Sequence, residues 1–436
     1  MTRGLELYRS MPRYAAARVL SSRVPRLAGT AATSAAPLRL VDKGDPALPG
    51  TGWVTVRPAL SGICGSDLAT VTGQSSFYFS PLVSMPFTPG HEVVGTLQSA
   101  VTLPDGSVHA SGSRVVIDPV LGCAARGLDL CANCAAGLTS RCDRVTVGHV
   151  APGLQTGYCK DTGGGWARAM VAHHSQLHPV PDDLSDERAV LVEPLATAVH
   201  TAGRARVTPG DRVLVIGSGA VGLFTLLALR AYTAAGHITV VAKHRRQVEL
   251  ARLFGADEVL SPSDALGGVR RATRALRAEP ELGGPFLLGG VDIAVDCAGS
   301  ASSLSTALRV TRAGGRVVLS GVPSGSVDLT PLWYRELELV GTYASSGRTG
   351  PAAAAGAAGG GLQMEAPGAP AGVGVDGPGR ARSDFGRAFE LAASAPLDGV
   401  VSAVYPLGRW REALDHALSA GRLGAVKVAF DPTMSA

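Results

Sequence analysis

Cys64, His91 and Glu92 bring a thiol, an imidazole and a carboxylate into one short region of the chain, within Ser61-Gly62-Ile63-Cys64-Gly65-Ser66-Asp67 and Gly90-His91-Glu92. Those are the side-chain types that zinc accepts, and a catalytic zinc takes three protein ligands while leaving a fourth position to water or substrate. Taken singly, a buried cysteine or a satisfied histidine is the commoner role. Support has to come from the rest of the chain.

A second set of thiols follows at Cys123, Cys131, Cys134 and Cys142, spaced C-x7-C-x2-C-x7-C. Four thiolates make a closed structural zinc site; buried free thiols and an iron–sulfur cluster are the competing readings. A third pattern runs Gly217-Ser218-Gly219-Ala220-Val221-Gly222 directly after the apolar run Val213 to Ile216. A GxGxxG turn between a strand and a helix is the context that marks a dinucleotide site. Gly217 permits the tight turn, Gly219 lets pyrophosphate approach, and Gly222 lets the helix pack on the strand. Ala220 and Val221 open the helix whose free N–H groups face the phosphates.

About 20 residues further on, where a carboxylate would grip the ribose of NAD, the chain has Ala242-Lys243-His244-Arg245-Arg246. Cations there suit a 2′-phosphate. Lys243, His244 and Arg245 therefore indicate NADP, with NAD the alternative and a solvated helix start the structural one.

These residues need a scaffold. Stretches that alternate or run apolar at Ala16 to Leu20, Leu38 to Val41, Trp53 to Arg57, Glu92 to Leu97 and Arg114 to Ile117 predict a β-rich unit, with ordered folding from about Tyr14. Residues 118–166 read as a Cys- and Gly-rich loop, and Ser185 as the N-cap of a helix that carries Glu193. From Arg212 strands and helices alternate, which indicates βαβ units and a parallel sheet. Residues 345–382, rich in Ala, Gly and Pro, have neither period and read as a flexible insertion; a helix and a last strand near Ala425 to Phe430 follow.

The 436 residues exceed what one core serves, so two domains are expected. With 46% hydrophobic and 17% charged residues the chain is no disordered protein. A net charge of +5, from scattered basic residues, argues against nucleic acid. The longest uncharged apolar run, Val213 to Leu229, contains three glycines and falls short of the roughly 20 residues of a membrane span. Seven cysteines, an odd number, fit thiols kept reduced or metal-bound, and so a cytoplasmic setting.

Gly62 to Asp67, Pro89-Gly90-His91-Glu92, the four-cysteine loop, Val192-Glu193-Pro194-Leu195 and the Gly217 to Gly222 turn stand in the order found in one family. The chain resembles the zinc-containing medium-chain alcohol dehydrogenases, most closely their sorbitol and threonine dehydrogenase branch. The resemblance implies an α/β architecture: a GroES-like β-rich catalytic domain plus a Rossmann doubly wound parallel sheet. It divides the chain into a catalytic domain at 1–200, a Rossmann domain at 201–343, the insertion at 344–382, and a return to the catalytic domain at 383–436.

By the same resemblance Cys64, His91 and Glu92 match catalytic zinc positions, Glu193 the carboxylate that closes the site, and Ser66 the hydroxyl that relays the substrate proton. The implied activity is hydride transfer between a secondary alcohol or polyol and a nicotinamide cofactor, with zinc as Lewis acid. An NADPH-dependent carbonyl reductase and a non-catalytic zinc- and dinucleotide-binding protein are the alternatives. Family habit implies a homo-oligomer, a dimer or tetramer. Three features depart from the family: the gap of seven residues after Cys123, Leu68-Ala69-Thr70 where a proton-passing histidine often follows the Asp, and the insertion after Tyr343.

Overall fold

Alternating apolar strands and amphipathic helices build one parallel sheet from residue 212 onward. The computed structural model describes residues 2–23, 28–103, 106–322, 325–346 and 383–435. Strands Arg212–Ile216, His237–Val241, Glu258–Leu260, Val291–Asp296, Thr311–Leu319 and Glu338–Gly341 all pair in parallel. Across the sheet they stand third, second, first, fourth, fifth, sixth. That is the doubly wound order, whose direction reverses beside the first strand and opens a ligand crevice there. Val213 to Val215 and Ile293 to Val295 are buried as continuous runs because helices cover both faces.

The second sheet has seven strands. Val401–Pro406, Lys427–Asp431, Trp53–Gly62, Val93–Leu97, Arg114–Ile117 and Leu177–Pro179 lie in that order, and Met170–His173 also pairs with Trp53–Gly62. The last strand of the chain runs antiparallel to Trp53–Gly62, with Ala429 opposite Gly62 and Phe430 opposite Ser61. The end of the chain thus lies against the strand that delivers Cys64. One core, from Leu60 and Val94 through helix Val192–Ala205 to Phe224 and Val240, joins the two sheets.

Three expectations are corrected. Ala16 to Leu20 is not a strand but part of helix Met11–Arg23, which a second helix, Ala28–Ala35, follows. Ala15-Ala16-Ala17 is strongly helix-forming, and Arg13 ties the pair by donating to the Ser34 and Ala35 carbonyls at 3.0 and 3.2 Å. Ordered structure starts at Thr2 rather than near Tyr14. Strand Thr2–Leu7 pairs with Leu38–Lys43, burying Leu5 and Leu7 on one face. The helix expected from Ser185 is two helices, Asp186–Ala189 and Val192–Ala205, with Ser185 Oγ capping the first by accepting from the Arg188 N–H. The expected insertion lies outside the described residues from 347 to 382.

Candidate metal and hydride-transfer site

Strand Trp53–Gly62 ends where the Ile63 N–H donates to the Val428 carbonyl at 2.9 Å, and the chain turns at once into helix Gly65–Val71. Cys64 stands at the N-cap of that helix, and Asp67 reaches back to accept from the Cys64 N–H at 3.0 Å. Asp67 also faces His91, with 3.3 Å between Oδ1 and Nδ1. The pair is off line for a hydrogen bond, which leaves His91 Nδ1 buried without a hydrogen-bond partner. One ligand atom each from Cys64, His91 and Glu92 lies within 4.8 Å of the other two. A buried imidazole whose ligand nitrogen converges with a thiol and a carboxylate is a donor set that fits zinc.

Glu92 has a second engagement. Lys427 Nζ lies 2.6 Å from both of its carboxylate oxygens, and the two side chains are only 1% and 4% exposed. Burial pulls the Lys427 ammonium down, but Glu92, Cys64 and Glu193 together raise it above its ordinary value. Gly62 makes room for this carboxylate, since a Cβ there would meet Glu92 Oε2 at 1.9 Å. Glu193, in the first turn of its helix, stands outside the trio of ligand atoms. It is buried nearby, and burial, with the charge of Glu92 adding to it and that of His91 opposing, pushes its carboxyl up to about 7. Ser66 sits half-buried in the turn after Cys64.

The four thiols of the loop converge. Sγ atoms of Cys123, Cys131, Cys134 and Cys142 lie within 4.8 Å of one another, and Cys123 and Cys142 at 3.6 Å are too far apart for a disulfide. Zinc–sulfur bonds of about 2.3 Å put tetrahedral sulfurs about 3.8 Å apart, which this cluster accommodates. Cys123, with seven residues between it and Cys131, reaches the cluster as fully as the others. Backbone N–H groups, that of Asp143 first, lower the Cys131 thiol, while burial raises those of Cys134 and Cys142, so metal binding would have to drive off their protons.

The long gap after Cys123 also admits Arg126. Its buried guanidinium donates to the carbonyls of Leu121, Val147, Val150 and Gly153 at 2.6–3.1 Å. Arg126→Met is expected to cost about 3 kcal/mol by removing these charged donors. Zinc should then leave the lobe at least tenfold faster, as read by a colorimetric chelator assay.

At the other sheet, Gly217 adopts φ +97°, and a Cβ on Gly222 would meet the Gly217 carbonyl at 1.8 Å. Both positions therefore require glycine. Gly219 is the N-cap of helix Ala220–Tyr232, whose first residues, Ala220 and Val221, leave their N–H groups to a ligand. Gln247 Oε1 accepts from Ser218 Oγ at 3.1 Å and from the His244 N–H at 3.2 Å, tying the glycine turn to the end of the second strand. Lys243 and Arg245 are exposed there, and Arg245 pairs with Glu249 at 2.9 Å.

Comparison with known proteins agrees with this geometry. The family model for the alcohol dehydrogenase GroES-like domain matches residues 50–182, and that for zinc-binding dehydrogenases matches 220–357. L-idonate 5-dehydrogenase of Vitis vinifera is 30% identical over 292 residues, 66% of this chain and 73% of that protein. The chain belongs to the zinc-type medium-chain alcohol dehydrogenases. Sorbitol dehydrogenase of Arabidopsis thaliana matches with the same identity and coverage, which places this dehydrogenase in the sorbitol-like branch. A Sinorhizobium meliloti protein described as a zinc-binding dehydrogenase, solved bound to NADP, shares the fold with a TM-score of 0.64 and 23% identity, over 91% of this chain and 95% of that one.

This dehydrogenase is accordingly a zinc-dependent oxidoreductase of alcohols that uses a nicotinamide cofactor. No helix among its described residues is long and apolar enough to cross a membrane. Two of its site residues carried sequence signals that went unread. Lys427 is the one basic residue of strand Lys427–Asp431, and Tyr158, which approaches Asp67 at 3.3 Å, lies in a stretch that otherwise reads as loop.

Proposed function

We propose that this dehydrogenase oxidises a secondary alcohol or polyol with NADP+, and that Cys64 and His91, with Glu92 or Glu193, hold the zinc ion the reaction uses. The observation that carries the reading is the convergence of Cys64, His91 and Glu92 ligand atoms within 4.8 Å. The names of its relatives, idonate and sorbitol dehydrogenases, support polyols as the substrate class. Residues 1–200 and 383–436 form the catalytic unit in this reading, and 201–343 the dinucleotide unit. Pairing of the last strand with Trp53–Gly62 supports it. Seven free cysteines support a reducing cytoplasm, and the family's habit a homo-oligomer.

Bound there, zinc supplies the Lewis acidity that brings an alcohol's pKa toward neutrality, and NADP+ the acceptor for hydride. The chain's own residues do the rest. Ser66 takes the hydroxyl proton. Lys427 holds Glu92 in one orientation, and the Asp67 charge does the same for His91. Gly217 to Gly222 seats the pyrophosphate on the helix N-terminus, and Lys243 with Arg245 receives the 2′-phosphate.

Arg245 is free to leave Glu249 for a phosphate, because so exposed an ion pair is worth little. Lys243→Ala with Arg245→Ala should lower kcat/KM for NADP+ by about 100-fold, at about 1.4 kcal/mol for each lost cation contact. NAD+ should change less than threefold. The deciding test is a panel of secondary alcohols, polyols and aldehydes assayed with both cofactors. A higher kcat/KM with NAD+ than with NADP+ would refute the cofactor assignment.

A further inference from the structure

Strands Thr2–Leu7 and Leu38–Lys43 pair antiparallel with Leu7 opposite Leu38, a join that a two-residue hairpin could make. The chain instead runs through residues 8–37 and two helices, Met11–Arg23 and Ala28–Ala35. The first adds little to the core, since from Met11 to Ser21 only Ala17 is buried. It grips another segment instead. Tyr14, Arg18 and Ser21, at i, i+4 and i+7, lie on one helix face. Tyr14 Oη donates to the Ser75 carbonyl at 3.2 Å, Arg18 to the Gly73 carbonyl at 2.8 Å, and Ser21 Oγ to the Thr72 carbonyl at 3.3 Å. The rings of Tyr14 and Phe77 lie 5.5 Å apart. Gly73, at φ +73°, admits the helix, because a Cβ there would meet the Tyr14 carbonyl at 2.9 Å. The second helix anchors the first: Thr33 Oγ1 donates to Asp415 Oδ1 at 3.0 Å on helix Trp410–Leu418, whose Trp410 and Leu414 share a core with Ile63 and Phe87.

The gripped segment connects the two parts of the chain that carry Cys64 and His91. It leaves the end of helix Gly65–Val71 and returns through Phe87. Its return half is tied down as well, with the Leu154 N–H donating to the Leu82 carbonyl at 3.1 Å and the Ser84 N–H to the Tyr158 carbonyl at 3.4 Å. Between these ties the short turn Phe77–Leu82 presents Phe77 and Tyr78 at 55% and 78% exposure. Ser75 and Ser76 precede the rings and Ser80 follows them. Aromatic faces interleaved with hydroxyls match a polyol, which offers C–H and O–H groups along one chain.

We propose that the helical pair is a brace for the substrate rim, and that Tyr14 and Arg18 are positioning residues that hold the Phe77–Leu82 turn ready for the far end of a polyol. Released from the brace, the turn populates its binding conformation only part of the time, and apparent affinity falls by that fraction. A substrate too short to reach the turn does not feel the loss.

The test uses the full-length zinc enzyme with Tyr14→Ala and Arg18→Ala combined, assayed on sorbitol as the long polyol and propan-2-ol as the short alcohol. Zinc content, NADPH affinity and amide hydrogen exchange are measured in parallel. The double variant should raise KM for sorbitol about tenfold with kcat within twofold, and leave both constants for propan-2-ol within twofold. Exchange should quicken at residues 72–80 and stay unchanged in strand Trp53–Gly62, with zinc and NADPH binding at wild-type levels. Arg18→Lys, which keeps a donor for the Gly73 carbonyl, should stay within threefold of wild type on sorbitol.

The brace is overturned if KM for sorbitol stays within twofold, if the two alcohols lose equally, or if exchange at 72–80 does not change. Should the double variant lose zinc, exposed Arg18→Ala alone decides by the same readouts, with KM for sorbitol expected to rise at least threefold. The brace rests on the proposed polyol site. If the wild type forms NADPH from propan-2-ol but not from sorbitol, or from neither, it is that reading which fails and the brace with it, whatever the exchange shows.

Discussion

Cys64→Ser is expected to lower kcat/KM for alcohol oxidation by at least about 10³-fold while the chain keeps one of its two zinc ions. The magnitude follows from losing several kcal/mol of Lewis-acid stabilisation in the transition state. The selectivity follows from the two separate clusters, Cys64 with His91 and Glu92, and Cys123 with Cys131, Cys134 and Cys142. Serine keeps nearly the volume of cysteine, and the Cys64 N–H still donates to Asp67, so the cap of helix Gly65–Val71 survives. Metal analysis should find two zinc ions per wild-type chain and one in the variant. Thermal unfolding should change little, because the lobe zinc is retained. Full activity with one zinc would remove Cys64 from the metal.

What could be read in the sequence follows the range of each signal. The parallel sheet was legible because Val213 to Ile216 and Ile293 to Val295 are continuous apolar runs with helices between them, and because Gly217 and Gly222 occupy positions where a Cβ is excluded. The four-cysteine cluster was legible from number and proximity alone. Ala16 to Leu20 was misread because five residues, Arg18 among them, show no clear period, and the alanine run that decides for helix, Ala15 to Ala17, only overlaps its start. Strand Thr2–Leu7 was missed because its partner, Leu38–Lys43, though strand-like in sequence, comes beside it only through the helical pair between them. At the site, Cys64 and His91 announce themselves by type. Lys427 does not, because the residue that explains it, Glu92, is 335 positions away.

That ion pair carries the largest stability effect. Lys427→Met is expected to destabilise the chain by about 3–5 kcal/mol, because it leaves a carboxylate buried without its cation. Methionine fills most of the space of the lysine stem, so little of the loss comes from a cavity. If the penalty is the orphaned charge of Glu92, removing that charge should relieve it. Glu92→Gln combined with Lys427→Met should recover at least about 2 kcal/mol, so that the double variant is more stable than Lys427→Met alone. Guanidinium unfolding followed by tryptophan fluorescence measures both, and Trp166, packed on Phe430 of the same strand as Lys427, reports on this core. The site should respond as well. Lys427 holds both oxygens of Glu92, so its loss frees a carboxylate beside Cys64 and His91 to compete for the position that substrate needs. Lys427→Met should therefore lower kcat at least tenfold under conditions where the chain remains folded and fully metallated. If stability is lost but kcat is unchanged, the pair is a structural feature only. If the double variant is no more stable than Lys427→Met, the cost comes from packing rather than from charge.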